Sequence, residues 1–148
     1  MAKGQTYPAE SQVYGDERTG ATIRQVTNAP AIHHHPFFMI PAYDDAMQWT
    51  IFASTRTGKP QIFAEVRATG DLLQLTDRDD LGDWSIHPSH DGHYVYFTAG
   101  TGGWRINIQT LEEEQLVNFG DVALREKGMV AAAMGTTALS TNDRWWAI

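Results

Sequence analysis

All six histidines of this chain fall in two tight clusters, and imidazole is the side chain best suited to ligate a metal or exchange a proton near neutral pH. The first cluster is His33-His34-His35-Pro36-Phe37-Phe38. On an extended backbone three consecutive side chains alternate, so His33 and His35 share one face and His34 takes the other. Two imidazoles with no carboxylate nearby make an incomplete metal site. The cluster reads instead as a ligand contact through His34 or His35, the rest bonding to the fold. The second cluster, His87-Pro88-Ser89-His90-Asp91-Gly92-His93, would gather its rings on a helix. Pro88 and Asp91-Gly92 make it a strand end followed by a turn. His87 then ends an inner strand and joins His34 and His35 as a candidate substrate contact, while His90 and His93 are expected on an exposed turn.

The other reactive side chains read as structural. Asp44, Asp45, Asp91 and Asp143 stand at turn positions where carboxylates bond to backbone amides, and Glu112-Glu113-Glu114 reads as a solvated turn. Gly100-Thr101-Gly102-Gly103 lacks the lysine and following helix of a phosphate loop. Neither a Gly-x-Ser-x-Gly elbow nor a His-Glu-x-x-His sequence occurs. Trp49, Trp84, Trp104, Trp145 and Trp146 suit packing between layers more than stacking on a sugar. No catalytic residue is assigned.

The elements that must position these residues are short strands. Runs of β-branched and aromatic residues recur between Gly, Asp, Asn and Pro, with little helical periodicity. The expected strands are Ser11–Tyr14, Ala21–Thr27, Phe37–Ala42, Gln48–Ser54, Gln61–Arg67, Leu72–Thr76, Trp84–His87, Tyr94–Ala99, Trp104–Gln109 and Gln115–Asn118. A stretch within Val130–Leu139 and Arg144–Ile148 follow. The chain also repeats itself. Asp44-Asp45 leads to Gln48-Trp49-Thr50-Ile51-Phe52-Ala53-Ser54, Asp91-Gly92 leads to Tyr94-Val95-Tyr96-Phe97-Thr98-Ala99, and Asn142-Asp143 leads to Trp145-Trp146-Ala147-Ile148.

Units of about 40–50 residues with four strands each are the pattern of β-propeller blades. The fold class is therefore all-β, with about three blades' worth of four-stranded antiparallel sheets forming an incomplete propeller within a single domain, 1–148. Residues 1–28 supply the outer strands of a first blade, 37–78 a second blade, 83–120 a third, and 129–148 the inner strands of the next. Three blades cannot close a ring. The apolar strand at Trp145-Trp146-Ala147-Ile148 suggests a piece of a longer protein, or a homo-oligomer in which copies join head to tail to complete the propeller.

Composition narrows the function. The chain has 148 residues, 11 Lys and Arg against 18 Asp and Glu, a net charge of −7 and no cysteine. Disulfide frameworks and cysteine-ligated metals are excluded. So acidic a chain is a poor general nucleic-acid binder, no stretch is long and apolar enough to span a membrane as a helix, and the cytoplasm is the expected compartment.

One resemblance goes further. The opening Met1-Ala2-Lys3-Gly4-Gln5-Thr6-Tyr7-Pro8-Ala9-Glu10, then Tyr14, Asp16, Thr19-Gly20, Arg24-Gln25-Val26-Thr27, then His34-His35-Pro36-Phe37-Phe38, resembles the start of oligogalacturonate lyases. These are bacterial seven-bladed propellers acting on pectin fragments. From Pro41 onward Ser54-Thr55-Arg56-Thr57-Gly58-Lys59-Pro60-Gln61-Ile62-Phe63 and Leu73-Gln74-Leu75-Thr76-Asp77 are similar to TolB-type repeats, with Asp44-Asp45-Ala46 where such repeats usually carry Pro-Asp-Gly. The resemblance implies β-elimination on short galacturonides, oligogalacturonides as the partner, and Mn2+ held by His and Gln side chains from later blades, so that the metal ligands lie outside this chain. His34 matches a recurrent family position and is expected to line the funnel. The alternative is a non-catalytic TolB-like module that binds protein or glycan.

Overall fold

The computed structural model describes residues 2–120 and 135–148. Its described residues form thirteen strands and no helix. These are β1 (Thr6–Tyr7), β2 (Gln12–Gly15), β3 (Thr22–Gln25), β4 (His33–His34), β5 (Trp49–Ser54), β6 (Gln61–Val66) and β7 (Leu72–Gln74). There follow β8 (Leu81–Pro88), β9 (Tyr94–Ala99), β10 (Gly102–Asn107), β11 (Glu113–Asn118), β12 (Ala138–Leu139) and β13 (Trp146–Ala147). All pairings are antiparallel, in four sheets: β2-β3, β1-β7-β6-β5-β4, β11-β10-β9-β8 and β12-β13.

Period-2 alternation assigns each face a neighbour. Ile51, Ala53, Ile62, Ala64 and Leu75 of the five-stranded sheet are buried with Ile86, Val95, Phe97, Ala99, Ile106 and Ile108 of the next sheet. The residues between them point the other way. Phe52, Phe63 and Leu72 pack with Tyr7 and Val26 on the side of β2-β3. On the far side Tyr96 meets the Trp146 ring at 5.3 Å, and a Cβ on Gly103 would come within 2.6 Å of Ile148. The sheets therefore stack in chain order. Phe52 and Phe97, 45 residues apart, each face the preceding sheet, as repeated blades require.

The repeat extends to hydrogen bonds that no propensity scale encodes. In the inner hairpin turns Met47 N donates to Asp44 O, Gly92 N to Ser89 O and Asp143 N to Ser140 O, at 2.9, 3.2 and 2.9 Å. Met47, Gly92 and Asp143 all have positive φ, at 52°, 74° and 57°. The outer turns match one another too: Gly20 N donates to Asp16 O, Gly70 N to Val66 O and Leu111 N to Asn107 O.

Two expectations need correction. Phe37–Ala42 is not a strand, so the sheet expected to open at residue 37 opens instead at His33–His34, which pairs with Ser54 and Ala53. Pro36 and Pro41 have no amide to give a ladder, and Ile40 N closes a turn onto Phe37 O at 2.7 Å. Glu113 and Glu114 belong to β11 rather than to a turn, and Glu113 receives both Lys3 and Arg78 at 2.9 Å. Strand β1 was not anticipated. It adds to the open edge of β7, Gly4 N and Gln5 O bond to Gln74, and the segment blunts an edge that would otherwise template aggregation. Of the stretch within Val130–Leu139, positions up to 134 lie outside the described residues, as does the beginning of the expected 129–148 pair.

Candidate functional site

The inner strands β4 and β8 are both interrupted at the same register, and the interruptions carry the functional candidates. His34 lies opposite Ala53 and Tyr43 bridges Thr50, so residues 35–41 bulge away. Gly82 lies opposite Thr98 and His87 opposite Tyr96, so residues 83–86 do the same. Ser85 pins the second excursion, donating to Gly82 O at 2.5 Å and accepting from Thr98 N at 2.7 Å. Thr137 ties it to the following sheet by donating to Ser85 O at 2.9 Å.

The two excursions meet at His34. Its ring stacks on Trp84 with centroids 4.3 Å apart, its Nε2 lies 3.2 Å from Asp83 Oδ2, and its Nδ1 lies 3.0 Å from His35 O. His35 is exposed. His33 bonds through Nε2 to Ala29 O at 3.1 Å and turns an edge to Phe52. All three line a hollow of about 250 Å³ with Val26, Thr27 and Phe52. They do not converge on a point, because His33 and His34 are held by different partners.

His87 stands in a separate cleft of about 640 Å³, walled by Phe37, Ile40, Leu139 and Ile148 and shared with His90. Its ring is 6% exposed. Burial holds the imidazole below its usual pKa; the Pro88 carbonyl and Asp143 oppose that shift and His90 adds to it. Nδ1 lies 2.8 Å from Pro88 O and so carries the proton, which leaves Nε2 as the lone-pair nitrogen on the cleft side.

Sequence reasoning missed His90. Far from a free turn residue, it is half-buried, with Nδ1 at 2.7 Å from Asp143 Oδ1, its backbone N donating to the same oxygen at 3.1 Å, and Asp91 N donating to Asp143 Oδ2 at 3.2 Å. Asp143 therefore bonds to the turn of the neighbouring sheet rather than to its own. Asp143 takes the place of Gly92 and Met47 in the repeat, neither of which carries a carboxylate, so the repeat gave no signal of this bond. His93 is exposed as expected. Thus His34 and His35 share one hollow, His87 and His90 another.

The described residues contain no group of three or more His, Asp or Glu placed to hold a metal ion. The resemblance places the His and Gln ligands of manganese in later blades, and the described residues offer no His, Asp and Glu site of their own for one. Among the described residues no Lys or Arg lines the cleft. Among the described residues no helix is long and apolar enough to cross a membrane.

Antiparallel sheets repeated in chain order, stacked face to face, with clefts opening beside their inner strands, define a β-propeller fold, here as an arc without a closed ring. The chain is similar in structure to an oligogalacturonate lyase in complex with manganese, with a TM-score of 0.73 and 23% identity over 80% of this chain and 32% of that one. An oligogalacturonate lyase from Vibrio parahaemolyticus gives 0.73 and 19% over 79% and 31%. TolB from Acinetobacter baumannii gives 0.55 and 20% over 75% and 28%. An uncharacterized protein of Agrobacterium fabrum is 37% identical over 59 residues, 40% of this chain and 20% of that protein. No protein-family model matches the chain. The chain thus spans about a third of the solved propellers and a fifth of that curated relative.

Proposed function

We propose that this chain is a portion of an oligogalacturonate lyase-like propeller and that the cleft bearing His87 and His90 receives a short pectin-derived galacturonide. The observation that carries the reading is the overlay on two oligogalacturonate lyases over four fifths of the chain, together with histidines placed beside the inner strands. β-Elimination from a uronate needs a base at the C5 proton and a cation to neutralise the adjoining carboxylate as negative charge develops. Among the described residues no Lys or Arg lines the cleft to neutralise that carboxylate, so in this reading the described part supplies binding rather than the elimination step.

The chain is expected to bind digalacturonate, perturbing the amide resonances of His87, His90 and Thr137, while forming no unsaturated product even with added Mn2+. Absence of any perturbation at millimolar sugar overturns the reading. Product formation, detected by the ultraviolet absorbance of the new double bond and lost in His87→Phe, overturns the division of labour. The similarity to TolB and the lack of a cation among the described residues of the cleft favour a second reading, a non-catalytic module that binds protein or glycan. A full-length protein that binds glycans or a protein partner yet never forms unsaturated product would favour it.

A further inference from the structure

The two cleft histidines are built alike. Each has Nδ1 fixed against an oxygen, the Pro88 carbonyl at 2.8 Å for His87 and the Asp143 carboxylate at 2.7 Å for His90. A ring whose Nδ1 proton is committed to an acceptor presents Nε2 as a lone pair. Among the described residues neither Nε2 has a hydrogen-bond partner, and both rings line the cleft, with centroids 6.1 Å apart. His87 is more than nine-tenths buried as a residue, yet its unpartnered Nε2 is not among the fully buried polar atoms, so the nitrogen remains open to a ligand. The facing wall is apolar, formed by Phe37, Ile40 and Leu139.

A ligand that fits must offer O–H donors on one side and C–H surface on the other. A pyranose ring does so: neighbouring hydroxyls bond at about 2.8 Å each to acceptors, and the ring's C–H face lies against apolar side chains. Among the described lining residues there is no Lys or Arg, so two lone pairs would meet a carboxylate's negative oxygens with no described cation to offset them. We infer that His87 and His90 form a paired-acceptor subsite for adjacent hydroxyl groups of a sugar ring, blind to the uronate carboxylate, with Asp143 as the residue that positions His90. The inference rests on the reading that the cleft receives a sugar, and adds which part of the sugar it recognises.

Long-range 1H–15N spectra of the histidine rings test it directly, with digalacturonate and neutral galactobiose as probes and His93 as an internal control. Both sugars are expected to shift the Nε2 signals of His87 and His90, to leave His93 unmoved, and to bind with affinities within about threefold of each other, because no cation rewards the charge. His87→Phe, which keeps an aromatic ring in the buried slot, and His90→Gln should each weaken both sugars by roughly tenfold, the worth of a hydrogen bond. Asp143→Ala should release His90 from the Nδ1–H tautomer while His87 keeps its own, a signature that general loosening would not produce. If sugars shift cleft amides but neither Nε2, or if digalacturonate binds more than tenfold tighter than galactobiose, the subsite is wrong while the galacturonide reading survives. If no sugar perturbs the cleft at all, both fall.

Discussion

The left-handed position shared by the three inner turns is one where residue identity and backbone geometry disagree in an instructive way. Gly92 suits φ of 74°, and a Cβ there would come within 3.0 Å of Asp44 Oδ2. Met47 holds φ of 52° with its side chain 44% exposed, so its burial contributes little to offset the strain. Met47→Gly should raise stability by about 0.5–1 kcal/mol, because the left-handed cost to an L-residue exceeds the extra freedom glycine gains when unfolded. Gly92→Ala should lower it by at least as much. Urea melts of the two variants check the pair, and a destabilised Met47→Gly would mean that the side chain contributes packing not apparent in its exposure. His87 makes a different prediction, in pH. Its folded pKa lies below the ordinary value of about 6.5, with His90 and Asp143 facing it, so between the two values the unfolded chain binds more protons and stability falls as pH drops. Asp80 is held low chiefly by its bond to Arg78 and loses its contribution only below about pH 4. His87→Phe should flatten the loss beginning near pH 6.5 and leave the acid limb intact, as read from melting temperature across pH.

Elements, by contrast, stand or fall on faces. Phe97 is fully buried and Phe52 6% exposed, each against the sheet before its own, so Phe52→Ala and Phe97→Ala should each cost about 3–5 kcal/mol, with His93→Ala within about 0.5 kcal/mol. Calorimetry giving equal effects at the two kinds of site would overturn the register. That register was legible in the chain, because Phe52 and Phe97 sit in strands whose period-2 alternation and preceding turns repeat. Strands between residues 48 and 118 could be read for the same reason, and the place of His87 at the end of an inner strand followed from it, whereas His34 lies within β4, which the strand expected at Phe37–Ala42 did not anticipate. What could not be read is tertiary. Thr6–Tyr7 has no alternation to announce a strand and becomes one because β7 offers an unpaired edge. Phe37–Ala42 has the apolar composition of a strand, yet Pro36 before it, Pro41 within it and a turn expel it from the sheet. The bonds from His90 and Asp91 to Asp143 join residues 53 and 52 positions apart, and the Trp84–His34 stack joins different sheets, so local pattern carried no trace of either.

For the whole molecule the open question is what covers the ends of the stack. Leaving aside β1, which augments an existing edge, the strands amount to three blades of four, with β2-β3 at one end and β12-β13 at the other, two strands each. Tyr14 and Ile23, paired across β2 and β3, are 49% and 38% exposed, and Trp145 beside β13 is 77% exposed. Large apolar side chains presented on short sheets at both ends favour association, and two strands can complete a four-stranded blade with two others through ordinary ladder bonds. Two copies joined head to tail would make six blades, inside the range of about four to eight that propellers adopt, whereas three copies would make nine. The isolated 148-residue chain is therefore expected to sediment as a dimer at micromolar concentration. Because joining is heterologous, a change at either end should dissociate it: Tyr14→Lys with Ile23→Lys, or Trp145→Lys alone, should give monomers with unchanged circular dichroism. Mixing the two kinds of variant leaves one junction wholly wild type and puts both changes in the other, so it should restore an open pair but not a closed ring. A folded wild-type monomer at every concentration up to about 100 μM would show that these end sheets are satisfied without a second copy, and would leave the arc to be closed only by further blades of a longer chain.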